Sequence, residues 1–438
     1  MDHGSSDIPP FEIDELRQAL RRMKNRKCAD ESGIVAEILK HSSHSALIVL
    51  LEIFNKMRIT GIIDPAWRQT LFSMLPKNAD TTQIANWRPI AILRITYKLF
   101  SRLLHQRLQA ILDIAQSADQ VGFRKLRSVD DAFIIYETIC SKCTEWNLEF
   151  WCVSLDLKKA FDKLEYGPLF DALRQQNIGA GYLSLLASIY CEQTGRVGKS
   201  HTFPIHRGVK QGDIISPVLF NAGLEMALRR WKTKIGQRGI MIDTGDLLTN
   251  IRYADDLILY ATSSDDICFM LEVLQNELRN VGLHLNPSKT KAFTSKNNLQ
   301  PIFLDIARNF VDVMTNNETH KYLGRKLCAQ LSVRSAVQLS FRVQCAWMQF
   351  HKHKGMLCDR NISLRSRLKF FDSLISPTIL FGLASCNLTV CQLRSIDVIQ
   401  RKMLRNIVGW TRYEIDEWSD TMGRLREQIQ TALQFSAH

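Results

Sequence analysis

One stretch constrains the fold of this chain more than any other. It runs from Tyr253 to Tyr260 and reads Tyr-Ala-Asp-Asp-Leu-Ile-Leu-Tyr. The apolar residues around its two aspartates are typical of short strands. Strand interiors disfavour aspartate, and two adjacent carboxylates repel each other unless a cation neutralises them. The pattern predicts two strands that meet at an acidic tip. That tip is either a solvated turn or a site for a hard divalent cation such as Mg²⁺.

A second predicted strand also ends in an acid. Residues 150–155 are hydrophobic and lead directly to Asp156, and Phe161 follows five residues later. Two strands that each deliver an aspartate to one end can share a metal site if they pair in a sheet. The two acidic segments lie far apart in the sequence, so this site depends on the fold bringing them together.

The charge of the chain favours a polyanionic partner. Its 438 residues carry a formal net charge of +13, and the isoelectric point is about 9.2. Such a balance is typical of proteins that bind nucleic acid or an acidic membrane surface. The basic residues are spread along the chain, which suits a long binding groove better than a basic tail. No apolar run approaches the length of about 18 residues that a membrane-spanning helix needs, so no membrane contact is predicted.

The cysteines and the N-terminal sequence predict an intracellular location, in the nucleus, the cytoplasm or both. The eleven cysteines show no disulfide spacing, and proteins of reducing compartments keep such cysteines free. The first residues contain no basic and apolar signal segment.

Several further motifs occur in a fixed order around the two acidic segments. Gln211 and Gly212 form part of a loop that precedes a predicted helix start at Ser216-Pro217. Glycine allows close approach of the backbone to a ligand, and the glutamine amide can both donate and accept hydrogen bonds. The other segments are Asn86–Leu93, Gln120–Arg124, Leu283–Thr290 and Tyr322–Gly324.

Together these motifs resemble the reverse transcriptases of non-LTR (LINE-type) retrotransposons. The resemblance extends from about residue 13 to residue 433. One departure is a turn near residues 30–33, where the family usually has Gly-Pro-Asp-Gly and this sequence keeps only Gly33. No endonuclease constellation and no Cys-x2-Cys-x4-His-x4-Cys knuckle are found in the sequence. The chain is therefore either a polymerase module or a fragment of a longer reading frame.

The resemblance implies a role for particular residues. Asp156, Asp255 and Asp256 would be catalytic, and they would hold two Mg²⁺ ions, or Mn²⁺ instead, together with the backbone carbonyl of Leu157. Lys289 would donate a proton to the departing pyrophosphate. The remaining implied roles are nucleotide binding by Phe161, Gln211, Gly212, Arg88, Lys98 and Arg124, and primer binding by Tyr322, Leu323 and Gly324. The basic side chains also fit ordinary surface charge, and Phe161 also fits an aromatic residue of the core.

The fold implied is α+β, with the right-hand architecture of polymerases and a small antiparallel sheet. We expect fingers in residues 1–150, a palm in 151–327 and a helical thumb in 328–438. The function implied is RNA-directed DNA synthesis, with an RNA template, a DNA primer or target and deoxynucleotide triphosphates as partners. The sequence leaves the oligomeric state open.

Two alternatives remain open at the level of sequence. A remnant that binds nucleic acid without polymerising is favoured by the altered turn and the lack of an endonuclease, and disfavoured by the complete set of aspartates. An RNA-templated RNA polymerase shares the same palm. Phe161 disfavours that enzyme, because a bulky ring at this position would exclude a 2′-hydroxyl.

Overall fold

The computed structural model describes residues 8–77, 80–243, 245–296, 302–306, 309–409 and 413–436. The chain forms two compact units. The first unit comprises Met1–Arg127, Val153–Thr290 and Leu304–Val311, and the second comprises Ser128–Cys152, Lys291–Phe303 and Asp312–His438. Each unit is assembled from separate segments. The boundaries of fingers, palm and thumb stay a prediction.

Helices and strands occur in both units. The helices are α1 (Ile13–Arg21), α2 (Ala36–Lys40), α3 (His44–Thr60), α4 (Ile95–Ala115), α5 (Val129–Glu145), α6 (Ala160–Lys163), α7 (Tyr166–Gln175), α8 (Ala180–Tyr190), α9 (Ser216–Ile235), α10 (Ser264–Arg279), α11 (Arg334–Lys352), α12 (Lys354–Leu357), α13 (Leu364–Leu380), α14 (Val390–Val408) and α15 (Trp418–Ser436). The strands are β1 (Gln69–Pro76), β2 (Trp87–Ile92), β3 (Trp151–Leu155), β4 (Gln193–Val197), β5 (Phe203–Ile205), β6 (Ile240–Asp243), β7 (Asp246–Leu248), β8 (Asn250–Tyr253), β9 (Asp256–Ala261), β10 (Lys291–Thr294), β11 (Ile302–Ile306), β12 (Asn309–Val313), β13 (Thr319–Tyr322) and β14 (Arg325–Cys328). The α+β class predicted from the sequence is confirmed.

A four-stranded sheet in the first unit has the order β2–β1–β4–β5. Strand β1 pairs antiparallel with β2 and parallel with β4, and β4 pairs antiparallel with β5. The register of β1 and β2 places Leu75 opposite Arg88. This sheet therefore carries the Arg88 segment that the sequence assigned to nucleotide binding.

The acidic stretch forms the predicted pair of strands. Strands β8 and β9 are antiparallel, and their register places Tyr253 opposite Asp256. Strand β3 lies beside β9 in the order β3–β9–β8. The sheet interior is apolar, since Leu257 to Ala261 of β9 and all of β3 are buried.

Helices dominate the second unit. Its α11, α13, α14 and α15 share a core that includes Phe350, Phe371, Leu404 and Ile429. Pro377 lies inside α13. The proline lacks an N–H donor, but the helix continues until the N–H of Phe381 donates to the carbonyl of Pro377 at 3.1 Å. Among the described residues, no helix is both long and apolar enough to cross a membrane.

A buried ion-pair cluster lies in the second unit. The carboxylate of Glu137 on α5 is 3% exposed and accepts hydrogen bonds from Arg325 and, at 2.7 Å, from Nε of Arg334. Arg325 follows the turn between β13 and β14 and is itself buried. One acidic side chain thus compensates two guanidinium groups away from water.

We predict that Glu137→Gln destabilises the protein by about 3–5 kcal/mol, because removal of one partner leaves buried charge uncompensated. Urea unfolding would measure the loss. The matched control is Glu145→Gln on the same helix, since the ion pair of Glu145 with Lys142 is exposed and such pairs contribute about 0–1 kcal/mol. Equal stabilities of the two variants would contradict the assigned role of Glu137.

Candidate active site

The three predicted catalytic aspartates come from neighbouring strand ends of the first unit. The pairing of Tyr253 with Asp256 leaves Ala254 and Asp255 as the two residues of a tight turn. Asp156 follows β3 directly, and β3 is the neighbour of β9. The fold therefore brings together the two acidic segments that are far apart in the sequence.

Asp156 is fixed by a segment that lies more than a hundred residues later in the chain. The carbonyl of Asp156 accepts a hydrogen bond from the backbone N–H of Asn286 at 2.8 Å. The Nδ2 of Asn286 also donates to Oδ2 of Asp156 at 2.8 Å. Lys289, at the end of a single 3₁₀ turn, places its Nζ 3.8 Å from the same oxygen. Asn286 is a site residue that the sequence did not single out, although its motif was identified.

Burial and mutual repulsion perturb the two aspartates of the turn. Burial raises the pKa of Asp255, and the nearby charge of Asp156 raises it further. Burial raises the pKa of Asp256 to about 7, and the charges of Asp255 and Asp156 contribute in the same direction, while Lys289 opposes them. The three carboxylates are thus close enough to interact electrostatically, which sequence separation alone could not show.

This donor set fits a hard divalent cation. All its side-chain ligands would be carboxylate oxygens, which Mg²⁺ prefers, and a cation would relieve the repulsion that raises the two pKa values. Within the described ranges, no group of three or more His, Cys, Asp or Glu side chains is arranged to hold a metal ion. The fit of the aspartates to a cation therefore rests on the chemistry of their oxygen atoms and on the repulsion between them.

A large cavity of about 810 Å³ opens beside the aspartates. Its lining combines acidic residues with a larger set of basic ones. The lining residues are Lys77, Asn86, Trp87, Arg88, Pro89, Asp156, Leu157, Lys158, Lys159, Ala160, Phe161, Asp162, Lys163, Gln211, Asp255, Asn286 and Lys289. Seven of the residues assigned from the sequence are in this lining. Lys77, Lys158, Lys159 and Lys163 are additions, and their positive charge suits an anionic ligand.

Phe161 lies in the wall of this cavity and also packs on the core. Its ring stacks on Phe220 with centroids 4.5 Å apart and an interplanar angle of 13°. The ring of Phe123 meets it edge-on at 6.4 Å. Because two aromatic neighbours restrict its movement, the ring presents a fixed surface to the cavity. The two interpretations made from the sequence, a gate and a core aromatic, are compatible.

The Gln211 loop is tied to the four-stranded sheet. The carbonyl of Gln211 accepts a hydrogen bond from the N–H of Ala91 on β2 at 2.9 Å. Gly212 has φ +110°, and a Cβ there would lie 3.3 Å from the carbonyl oxygen of Ala91. Glycine is therefore needed both for the backbone conformation and for the close approach to β2. The neighbour that Gly212 approaches closely in the structure is β2, and the predicted contact of Gly212 with a nucleotide stays a prediction.

Two buried side chains, Lys210 and Asp213, anchor the Gln211 loop to the rest of the first unit. Lys210 donates to the carbonyl of Trp67 at 3.0 Å, and burial lowers the pKa of this lysine to about 8. The carboxylate of Asp213 accepts hydrogen bonds from the hydroxyls of Tyr97 and Ser101, both at 2.5 Å. Lys210 and Asp213 flank Gln211 and Gly212 in the sequence, so the two buried anchors fix both ends of the short loop.

Asp256, Lys98, Arg124 and Gly212 lie outside the described lining of the cavity. Arg124 is engaged elsewhere. Its guanidinium donates to Asp113 Oδ1 at 2.7 Å and to the carbonyls of Asp113 and Ser117. These contacts tie the loop before α5 to the end of α4. Nucleotide binding by Lys98 and Arg124 stays a prediction, and the structure gives Arg124 a structural role.

The predicted primer-binding residues lie in the second unit. Tyr322 pairs with Arg325 across the hairpin of β13 and β14. Leu323 and Gly324, the two residues of its turn, have φ +47° and φ +81°. Two positive φ values are typical of the tight turns that join antiparallel strands. These residues therefore form a tight turn, and its contact with a primer stays a prediction.

The chain matches the family model described as reverse transcriptase (RNA-dependent DNA polymerase) over residues 75–327. The match covers more than half of the chain and includes both acidic segments, the Gln211 loop and the turn at Gly324. The chain therefore belongs to the reverse transcriptase family. This assignment confirms the predicted class and its right-hand polymerase fold. Members of this family generally use divalent metal ions.

The chain is similar to curated proteins of retrotransposons. It is 27% identical over 407 residues to a transposon TX1 uncharacterized 149 kDa protein of Xenopus laevis, covering 90% of this chain and 30% of that protein. It is 25% identical to the retrovirus-related Pol polyprotein of a type-1 retrotransposable element R2 from Popillia japonica, covering 79% and 48%. It is 24% identical to the RNA-directed DNA polymerase from mobile element jockey of Drosophila melanogaster, covering 91% and 44%. The predicted non-LTR retrotransposon group is confirmed.

The chain spans less than half the length of each of these three relatives. Among solved structures, it is similar to an apo telomerase from Candida tropicalis, with a TM-score of 0.46 and 14% identity, covering 90% of this chain and 67% of that chain. A telomerase from Candida albicans in complex with a fragment of telomeric RNA gives a TM-score of 0.44 and 11% identity, covering 98% and 78%. The family assignment rests on the family match and not on these two similarities.

We predict that Asp256→Asn stabilises the metal-free protein at pH 8 and not at pH 4. Burial raises the folded pKa of Asp256 to about 7, whereas an aspartate of the unfolded chain ionises near pH 4. Between these two pH values the folded state holds a proton that the unfolded chain has released. The stability contributed by this carboxyl is present below pH 4 and is lost as pH rises to 7, by a few kcal/mol at most. The asparagine side chain does not ionise, so the variant does not lose stability in this way as the pH rises.

Urea unfolding in EDTA, at pH values from 4 to 8, measures the difference between variant and parent. Mg²⁺ added at pH 8 should stabilise the parent and remove most of that difference. The exposed Asp265→Asn serves as a control. A difference between Asp256→Asn and parent that stays constant with pH would contradict the raised pKa.

Proposed function

We propose that this chain is an RNA-directed DNA polymerase of a non-LTR retrotransposon that extends a DNA primer on an RNA template. The observation that carries the proposal is the convergence of Asp156, Asp255 and Asp256 at one edge of a basic cavity. The substrates would be deoxynucleotide triphosphates, and two Mg²⁺ ions would be the cofactor. We place this activity inside the cell, in the nucleus or the cytoplasm.

The carboxylates would hold the metal ions. Asp156 and Asp255 both line the cavity, as does Leu157, which follows Asp156 directly in the chain and would offer its backbone carbonyl as a further ligand. Two bound Mg²⁺ ions supply activation of the primer hydroxyl and neutralisation of charge on the transferred phosphate. Asp256, which lies outside the cavity lining, would be the supporting carboxylate beside Asp156 and Asp255. Asn286 orients Asp156 through its hydrogen bond to Oδ2.

The basic part of the lining would receive the triphosphate. Arg88 on β2 and Lys77 beyond the end of β1 approach the cavity from the four-stranded sheet, while Lys159 lies after β3. Fixed positive charge positions phosphate groups and stabilises charge as the bond to the leaving group breaks. Lys289, 3.8 Å from Asp156 and largely exposed, can reach the pyrophosphate and protonate it.

The turn that departs from the family pattern is well formed. One oxygen of the Asp30 side chain accepts hydrogen bonds from the N–H groups of Ser32 and Ile34 at 2.9 and 3.0 Å. The other oxygen accepts from the N–H of Ile95, at the start of α4, at 2.8 Å. This network replaces the missing Gly-Pro-Asp-Gly sequence with another closed turn. The substitution therefore gives no structural support to the remnant alternative.

We predict that Asp255→Asn abolishes primer extension and leaves RNA binding nearly unchanged. The carboxylate would be lost from the metal site, whereas phosphate contacts come from lysine and arginine. Extension of oligo(dT) on poly(rA) with dTTP measures the first effect, and a filter-binding titration with the same template measures the second. The exposed Asp265→Asn is the control variant. Equal extension by Asp255→Asn and the parent would refute the assigned site.

We predict that Phe161→Val raises incorporation of UTP relative to dTTP by at least tenfold. The ring is held between Phe220 and Phe123 at the cavity wall, so it cannot move aside for a 2′-hydroxyl. A tenfold change in ratio corresponds to about 1.4 kcal/mol of discrimination. Single-nucleotide extension with each triphosphate measures the ratio.

The control is Phe54→Val, a buried ring that packs against Trp67 and Phe100 and lies outside the cavity lining. Both variants should lose stability, of order a few kcal/mol. A folded Phe161→Val with an unchanged ratio would remove Phe161 from the nucleotide site and favour the alternative of an RNA polymerase.

A further inference from the structure

The acidic turn has a neighbour that the proposed chemistry does not use. The segment from Asp119 to Phe123, called here the Gln120 segment, lies alongside β8. The N–H of Arg252 donates to the carbonyl of Asp119 at 3.0 Å, and the N–H of Val121 donates to the carbonyl of Arg252 at 2.9 Å. Gln120 and Arg252 form a parallel bridge. The segment therefore runs beside the strand that leads into the acidic turn.

The side chain of Gln120 reaches the turn itself. It is fully buried, and its Oε1 accepts two backbone hydrogen bonds, from Ala254 at 3.0 Å and from Gly122 at 2.9 Å. The amide nitrogen donates to Oδ1 of Asn221 at 3.3 Å and to the carbonyl of Ala254 at 3.5 Å. Ala254 lies directly before Asp255, so Gln120 contacts the backbone that positions both aspartates.

Asn221 on α9 completes this network. It is almost fully buried, and its Nδ2 donates to the carbonyl of Gly122 at 2.9 Å. Two neutral amide side chains from separate parts of the chain thus satisfy each other and four backbone groups, the N–H and the carbonyl of both Gly122 and Ala254. Buried amides left without partners are costly, so a complete network of this kind favours one arrangement over others.

The turn needs such support because its backbone is strained. Ala254 has φ +58°, a left-handed conformation that disfavours residues with a Cβ by about 1–2 kcal/mol. No glycine relieves the strain at this position. A conformation of this cost persists only where surrounding contacts determine it.

Gly122 allows the Gln120 segment to lie directly against the backbone of the acidic turn. A Cβ at this position would lie 2.3 Å from the backbone nitrogen of Ala254 and 2.8 Å from the carbonyl carbon of Tyr253. These are backbone atoms, which cannot rotate away as a side chain can. The Gln120 segment and the acidic turn are therefore in direct backbone contact, with no room for any side chain between them.

We propose that Gln120 is a positioning residue for the catalytic metal site, which with Gly122 and Asn221 holds Ala254 left-handed and so fixes the directions of Asp255 and Asp256. The inference rests on the proposed function, because it concerns the same site. A glutamine amide suits this role, since it accepts the two N–H groups without adding a charge beside the carboxylates. Loss of the amide would let the turn relax and would spread the orientations of the aspartates.

Mn²⁺ binding, measured by electron paramagnetic resonance on the full chain without nucleic acid, tests this role directly. We expect Gln120→Ala to bind Mn²⁺ at least tenfold more weakly than the parent. In primer extension its kcat should fall by a similar factor while KM for the primer–template stays within twofold, because the phosphate contacts are unchanged.

The matched control is Gln176→Ala. Gln176 is also a buried glutamine, and its amide donates to the carbonyl of Ala222 at 2.9 Å, next to Asn221 on the same helix. It should cost similar stability in thermal unfolding without changing Mn²⁺ affinity. Two further variants perturb the same network, and their Mn²⁺ affinities are compared only where thermal unfolding shows that the variant is folded. Gln120→Met keeps most of the volume without the acceptor, and Gly122→Ala pushes on the turn from the opposite side, so both should reproduce the weaker Mn²⁺ binding.

The outcomes separate this inference from the proposed function. If the parent binds Mn²⁺ and extends primers, while the folded Gln120 variants match Gln176→Ala in Mn²⁺ affinity, the positioning role is overturned and the proposed function stands. If the parent neither binds Mn²⁺ nor extends a primer, the proposed function fails, and this inference fails with it.

Discussion

The site depends on holding three like charges close together in a place that is largely shielded from water. Asp255 and Asp256 are both partly buried, and burial and neighbouring carboxylates raise the pKa of each. Folding alone does not favour this arrangement, because every approach of one carboxylate to another costs free energy. The energy must come from contacts that have no charge of their own. The apolar interior of β9 and β3 and the amide groups around the turn provide those contacts.

The cations near the site are arranged so that they leave the aspartates available. Arg252, immediately before Tyr253, is buried and pairs with Glu225 at 2.5 Å, so its charge is compensated within α9 and β8. Lys289 lies 3.8 Å from Asp156 but is 68% exposed, so water screens much of their attraction. A closer and more buried cation would occupy the carboxylates permanently and would compete with a metal ion.

Local sequence patterns predicted the parts of the fold that local interactions determine. The Ser128 hydroxyl accepts a hydrogen bond from the N–H of Asp130 at 3.1 Å and caps the start of α5, a position that serine favours. Ser216-Pro217 begins α9 as predicted. The two acidic strands were predicted from their apolar residues and terminal aspartates. The polar contacts of Asn286 and Gln120 were not, because both join residues more than a hundred positions apart, and no local pattern reports such a pairing.

At Pro377, tertiary packing outweighs a local sequence preference. A proline disfavours a helix interior by about 3 kcal/mol, yet α13 continues past Pro377. The flanking Ile375 and Ile379 are buried in the core of the second unit, and their packing outweighs the local cost. Local preference and tertiary packing thus conflict at Pro377, and at Ala254 they conflict again. At Ala254 the packing is made of amide hydrogen bonds at the edge of a reactive site. The strained backbone of Ala254 sets the directions of the Asp255 and Asp256 side chains. The strain at Ala254 therefore has a function, which the unfavourable position of Pro377 in its helix lacks.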